Sequence, residues 1–230
     1  MGVFECPHHV PYEYAATYNL EKEAMRHQYF AFLKYLTVVL LAILGTEASA
    51  AGSVNVLYGK KSLNKTDWQP VDSQAEYGFG VEYQKLGWPV ALVASYLNSK
   101  DTGESQYPDY GVNTLDTGET AEFAIGARKY LTKNQVRVFV EGGLVSIRTE
   151  IRVQPYAIHS GDGGHLAVDT ATGHGLWVGA GADILLNDAL SIGVLGRASD
   201  ATVTMFDVEG EAGGVHFNVF AAYHFARPKN

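Results

Sequence analysis

Three groups of residues have types and spacings that could do chemistry. The run Asp-Thr-Gly-Glu occurs twice, at 101–104 and 116–119. Two carboxylates brought together can share one proton and work as an acid–base pair. Both copies fall in one polar segment, however, and each triplet is followed by Glu rather than a small residue. Asp and Gly so placed are read as turn formers. The run "HSGDGGH" sets His159, Asp162 and His165 close together, with Asp169 and His174 beyond. His and Asp can hold a metal, and Ser160 beside His159 is a nucleophile beside a base. The intervening glycines leave nothing to organise a ligand set. A solvated loop is expected, and no catalytic, metal or cofactor residue is assigned.

The third group consists of charges inside apolar runs. In "VRVFVEGG", Val136, Val138 and Val140 form one face, while Arg137, Phe139 and Glu141 form the other. A strand sends alternate side chains to opposite sides. The same parity puts Glu82, Glu122, Arg128, Asp183 and Arg197 on the second faces of their own segments. Arg forks suit paired carboxylates, and an unpaired buried charge is costly. These seven residues are therefore expected to form a charge network in a lumen.

Such a network needs strands to position it. Eight segments have strand composition or alternation, at about 53–63, 76–86, 90–98, 120–131, 136–149, 174–186, 190–199 and 213–225. The connections alternate long and short, and the short ones are "GWP", "KNQ" and "NDA". An up-and-down meander places all long connections at one end. The apolar faces, such as Tyr77, Phe79, Val81 and Tyr83, or Val215, Phe217 and Val219, would point outward. The opposite faces mix Gly with Glu and Arg, as a narrow barrel interior requires. A soluble barrel with an apolar lumen would show the reverse. The expected fold is an all-β, eight-stranded antiparallel up-and-down transmembrane β-barrel over residues 51–230. Aromatics near strand ends, Tyr58, Trp88, Tyr96, Tyr130 and Trp177, are expected as interface belts, although alternation alone would turn Trp177 inward.

Composition bounds the rest. The chain has 230 residues, 25 Gly, 14 Tyr, 10 Phe and a single Cys, with a formal net charge of -8. No basic stripe exists for a nucleic-acid partner. Cys6 has no disulfide or metal partner. Arg26 and Lys34, the apolar run 36–44 and the small-x-small site Ala48-Ser49-Ala50 have the layout of a secretory signal peptide. Residues 25–50 are read as that signal, with cleavage near Ala50. Residues 1–24, with Glu21 and Glu23, are read as an upstream extension before a start at Met25.

These features resemble the small outer-membrane β-barrel family, the one containing the OmpA transmembrane domain and OmpX. The resemblance rests on the signal, the strands, the loop asymmetry, the charged lumen and the ending "NVFAAYHF". Family members end in a polar-x-Gly-x-x-aromatic-x-aromatic signal read by the barrel assembly machinery. Asn218, Tyr223 and Phe225 match that signal, while Phe220 stands at the Gly position and "ARPKN" follows. The resemblance implies a bacterial outer-membrane location and contact with outer-membrane lipid and lipopolysaccharide. It also implies a structural or surface-interaction role through external loops that could meet a host or surface ligand. Residues 99–119 carry five acids and one Lys, and residues 200–212 carry four acids and no base. Two other functions stay open at this point. One is a narrow pore along the lumen charges, and the other is a lipid A-modifying enzyme, which would need a His–Ser or His–acid pair near the outer rim.

Overall fold

The computed structural model describes residues 50–107, 112–132, 135–156 and 167–225. Residues 25–49 of the proposed signal peptide, the extension before it and the "HSGDGGH" run lie outside the described residues, as do the last five residues, while Ala50 at the expected cleavage site is the first residue of a strand. The chain forms β1 (Ala50–Ser62), α1 (Lys65–Trp68), β2 (Ser73–Lys85), β3 (Ala91–Tyr107), β4 (Val112–Tyr130), β5 (Val136–Tyr156), β6 (Ala167–Leu185), β7 (Leu190–Met205), β8 (Val208–Glu211) and β9 (Gly214–Phe225). Each strand from β1 to β7 pairs antiparallel with the next. The strand β9 pairs with both β7 and β1, which closes a barrel of eight staves. The short β8 pairs only with β7 and forms a hairpin at the long-connection end.

The alternation read from sequence sorts the two faces. Val56, Tyr58, Tyr77, Phe79, Phe123, Ile125, Val136, Val138, Val140, Leu176, Val178, Ile192, Val194, Phe217, Val219 and Tyr223 are exposed on the outside. On β3, which is apolar on both faces, Leu92 points out while Ala91 and Leu97 point in. Outside this band, the strands run further than the sequence suggests. Segments 99–107 and 112–119 are not loop but a continuous ladder, so the two Asp-Thr-Gly-Glu runs are paired strand rather than turns. Asp101 lies opposite Gly118, and Gly103 opposite Asp116. Likewise β5 and β6 extend to Tyr156 and from Ala167. A ladder in water needs no apolar face, so the hydrophobic alternation stops while the backbone pairing continues.

Inside, large rings sit opposite glycines. Phe139 is the register partner of Gly181, Phe220 of Gly193 and Trp177 of Gly143. At Gly126 a Cβ would sit 2.2 Å from the Gly142 carbonyl oxygen and 2.9 Å from the Trp177 indole Cζ2. The indole Nε1 reaches the carbonyl oxygens of Leu144 at 3.1 Å and Ile125 at 3.3 Å. Interiors packed to crystal density do not absorb an added side chain without displacement. Gly126→Val is therefore expected to destabilise the barrel by about 1–3 kcal/mol or more, read as a lower melting temperature of the folded band on unheated gels. An unchanged midpoint would mean that neither the Gly142 backbone nor Trp177 is packed against this glycine.

Candidate functional site

The candidate site is the lumen and its outer mouth. Near the short turns, Arg137 on β5 donates through Nε to Asp183 on β6 at 2.8 Å, and its Nη2 bonds the second carboxylate oxygen. Ser191 Oγ donates to Asp183 at 3.2 Å and lies 2.9 Å from His224 Nε2. The Arg137 guanidinium also sits 4.9 Å from the centroid of the Tyr130 ring. A bidentate Arg–carboxylate pair of this kind fixes orientation as well as charge.

A second cluster follows. Arg128 donates to Glu141 through Nε at 2.8 Å and Nη2 at 2.6 Å, and to Glu82 through Nη1 at 2.9 Å. Tyr130 donates its hydroxyl to Glu82 at 2.8 Å. Arg197 reaches the other oxygen of Glu141 at 3.4 Å and donates to Ser95 Oγ at 3.0 Å. Both guanidiniums also lie over aromatic rings, Arg128 at 4.0 Å from Phe139 and Arg197 at 4.1 Å from Trp177. Two carboxylates thus meet two guanidiniums in a site where Glu141, Arg128 and Arg197 are buried and Glu82 is partly buried.

A third cluster sits towards the long-connection end. Lys61 Nζ donates to Glu122 at 2.5 Å, to Thr120 Oγ1 at 3.2 Å and to the Ala212 carbonyl at 3.0 Å. His216 lies between two acids, with Nδ1 2.7 Å from Glu76 and Nε2 3.3 Å from Glu122. Asn218 donates to Glu76 at 2.8 Å.

Above this cluster the first long connection turns inward and closes the mouth. Asn64 caps α1, its side chain accepting from the Thr66 amide at 3.0 Å. The helix delivers Trp68 into an apolar cluster with Leu63, Val71, Ile147, Val203, Met205 and Ala212. The indole Nε1 donates to the Glu211 carbonyl at 2.5 Å, while the Glu211 amide donates to Asp67 at 3.1 Å and Asn64 Nδ2 donates to the Glu211 carboxylate at 3.2 Å.

The expected residues are placed as follows. Glu82, Arg128, Glu141 and Arg197 come together in one cluster, Arg137 and Asp183 in another, and Glu122 joins Lys61 and His216 rather than an arginine. Of the expected aromatic belt, Tyr58 and Trp88 are exposed and Tyr96 stacks on Phe79 at 5.7 Å between centroids. Tyr130 and Trp177 do not belong to a belt. Both point into the lumen, where the Tyr130 hydroxyl is needed by Glu82 and the indole by two carbonyls. On the terminal strand, Tyr223 is exposed outside, Phe225 is half-buried, and Asn218 points inward to Glu76. The network members that sequence reasoning missed are Lys61, Glu76 and His216, together with the Trp68 plug. Lys61 was legible in principle, since it shares the parity of Leu57 and Gly59 on β1.

Two Ser–His pairs bear on catalysis. Ser199 Oγ lies 3.1 Å from His216 Nε2, whose Nδ1 faces Glu76, which is the atom order of a hydrolase triad. His216 and Glu76 are wholly buried, however, and Glu122 shares the same Nε2. The pair is thus part of the ion cluster, in which Ser199 Oγ also reaches Glu122 at 3.4 Å. Among the described residues, no group of three or more His, Cys, Asp or Glu is placed to hold a metal.

Glu141, which neutralises two guanidiniums, is the most consequential member. Glu141→Ala is expected to cost about 3–5 kcal/mol in equilibrium urea unfolding from lipid vesicles. Glu150→Ala, which removes the half-buried partner of the exposed Arg152, is expected to cost about 1 kcal/mol or less. Equal effects would contradict the buried assignment of Glu141.

No family model matches the chain, and no curated protein matches it. Solved structures do. The chain is similar to a major outer membrane protein from Thermus thermophilus, with 11% identity, 77% of this chain and 100% of that chain covered, and a TM-score of 0.52. It is also similar to Ail, the attachment invasion locus protein of Yersinia pestis, solved in complex with the heparin analogue sucrose octasulfate, with 13% identity, 76% and 97% covered, and a TM-score of 0.44. Neisserial surface protein A gives 10% identity, 77% and 97% covered, and a TM-score of 0.43. At these identities the likeness is one of fold.

Proposed function

We infer that this chain, which has the fold of the small outer-membrane β-barrels, lies in a bacterial outer membrane as a closed barrel. Its role in this reading is structural, or is exerted by the surface that its long connections present outside the cell: envelope integrity, adhesion or recognition. The observation that carries the reading is a lumen filled by three ion clusters and roofed by Trp68, within a wall whose outer face is apolar. An apolar outer band with a polar, packed interior is what a hydrocarbon surround selects. The wall would contact outer-membrane lipid and lipopolysaccharide. The terminal strand with Asn218, Tyr223 and Phe225 would be presented to the barrel assembly machinery, after removal of a signal peptide near Ala50.

No enzyme activity is proposed, because both Ser–His pairs are committed to ion clusters. The narrow-pore reading would need a water path past Arg128, Arg197 and Glu141, whose side chains are buried against one another and against aromatic rings.

The test is conductance of the refolded barrel in a planar bilayer. The wild type is expected to be silent. The triple variant Trp68→Ala, Arg128→Ala, Arg137→Ala, which removes the roof, the hub of the central cluster and the ion pair near the short turns, is expected to show conductance steps. Steady conductance in the wild type would instead make the protein a narrow pore.

A further inference from the structure

The hairpin between β7 and β8 carries a conformation that its sequence does not favour. Its two central residues, Phe206 and Asp207, have φ of 48° and 61°. Two consecutive positive values define the type I′ turn, whose usual residues are Gly, Asn and Asp. A bulky side chain at the first position is strained. The turn is also held from outside itself, because the Asp169 carboxylate on β6 accepts the Phe206 amide at 2.5 Å. Below the turn, Met205 is anchored in the apolar roof, and the far end of β8 is tied to α1 through Glu211.

This rigid frame exposes apolar surface where a soluble loop would bury it or lack it. Phe206 is 48% and Val208 67% exposed, on the polar part of the chain beyond the outer apolar band. Their neighbours Asp207 and Glu209 are also exposed, and residues 200–212 contain no base. An exposed aromatic on a pre-organised backbone, rimmed by one sign of charge, has the make-up of a protein-binding hot spot. Phe206 is thus held in a strained conformation with its side chain half exposed.

We propose that the Phe206–Val208 tip is a docking site for a protein partner that presents apolar side chains interleaved with lysine or arginine. The proposal rests on the reading that the long connections face the outside of the cell. It names the part of that surface which binds and the chemistry that it recognises. Phe206 and Val208 would pack against the apolar side chains, and Asp207 and Glu209 would meet the basic ones and speed encounter.

The test uses the full barrel in nanodiscs of zwitterionic lipid on a biosensor, with empty discs subtracted. The probe is a short peptide of alternating lysine and leucine, and peptides of alternating lysine and serine or glutamate and leucine are the controls. The lysine–leucine peptide is expected to bind, and each control at least about tenfold more weakly. Phe206→Asn keeps the turn, because Asn accepts a positive φ, and is expected to melt no lower than the wild type while weakening binding by about tenfold or more. Val208→Thr, which preserves the strand, and Asp207→Asn with Glu209→Gln are expected to weaken it in the same direction. Undiminished binding by Phe206→Asn would overturn the proposal, as would lysine–serine binding as tight as lysine–leucine. Self-association of the wild type that Phe206→Asn abolishes would also overturn it, because the tip would then serve a second copy of the chain. Because the discs expose both ends, failure here would leave the outer-membrane reading standing. That reading would fail separately, through labelling of Lys65 that requires broken cells.

Discussion

A closed strand cylinder of eight staves leaves its inner face almost no bulk water, and every charge that the sequence points inward must be met by another inward charge. Removing an ion from water costs several kcal/mol even after relaxation, so the members of the lumen are obligatory to one another once any one is present. Glu141 shows the constraint most plainly. It takes both Nε and Nη2 of Arg128 and a contact from Arg197, so its loss would leave Arg128 with Glu82 alone and Arg197 without its carboxylate partner. The pairs also join staves that are distant in sequence. Lys61 to Glu122 links β1 with β4, Arg128 to Glu82 links β4 with β2, and His216 to Glu76 links β9 with β2. A register slip of one residue would turn all of these outward at once, so the ion clusters favour one closure of the cylinder over its neighbours.

Charge alone would not fill the space. Long inward side chains and rings need opposite positions with no side chain at all, and the glycines supply them. Phe139 against Gly181 and Phe220 against Gly193 place a ring in one strand and a void in the next. The rings are not inert filler, because Phe139 and Trp177 present faces to Arg128 and Arg197. Ionic and aromatic layers therefore stabilise the same guanidiniums from two directions.

The sequence was legible wherever one face of a strand was apolar. Alternation alone sorts Val136, Val138 and Val140 from Arg137, Phe139 and Glu141. It also held the answer for Tyr130, which shares the parity of Glu122 and Arg128, and for Trp177, which shares that of Gly179 and Gly181. Their aromatic character near strand ends pointed to a belt, and the lumen's need for a hydroxyl and a flat ring prevailed. Alternation fails where both faces are polar, which is why the ladder from Ser99 to Tyr107 resembled a loop. It was equally silent on Trp68, an isolated aromatic in a polar connection whose partners, Val203, Met205 and Ala212, lie far along the chain.

The apolar roof and the ionic lumen are physically coupled. Excluding water from the mouth lowers the local dielectric, which strengthens correct pairs and penalises broken ones alike. Lys61 marks the junction, because it donates down to Glu122 and across to the carbonyl of Ala212, a residue of the roof. The same contacts that seal the lumen thus hold the start of β9 and, through Glu211, the β7–β8 hairpin. A surface held in this way loses little conformational freedom when it meets a partner. The contacts that close the mouth would in this way also serve the docking proposed for the hairpin.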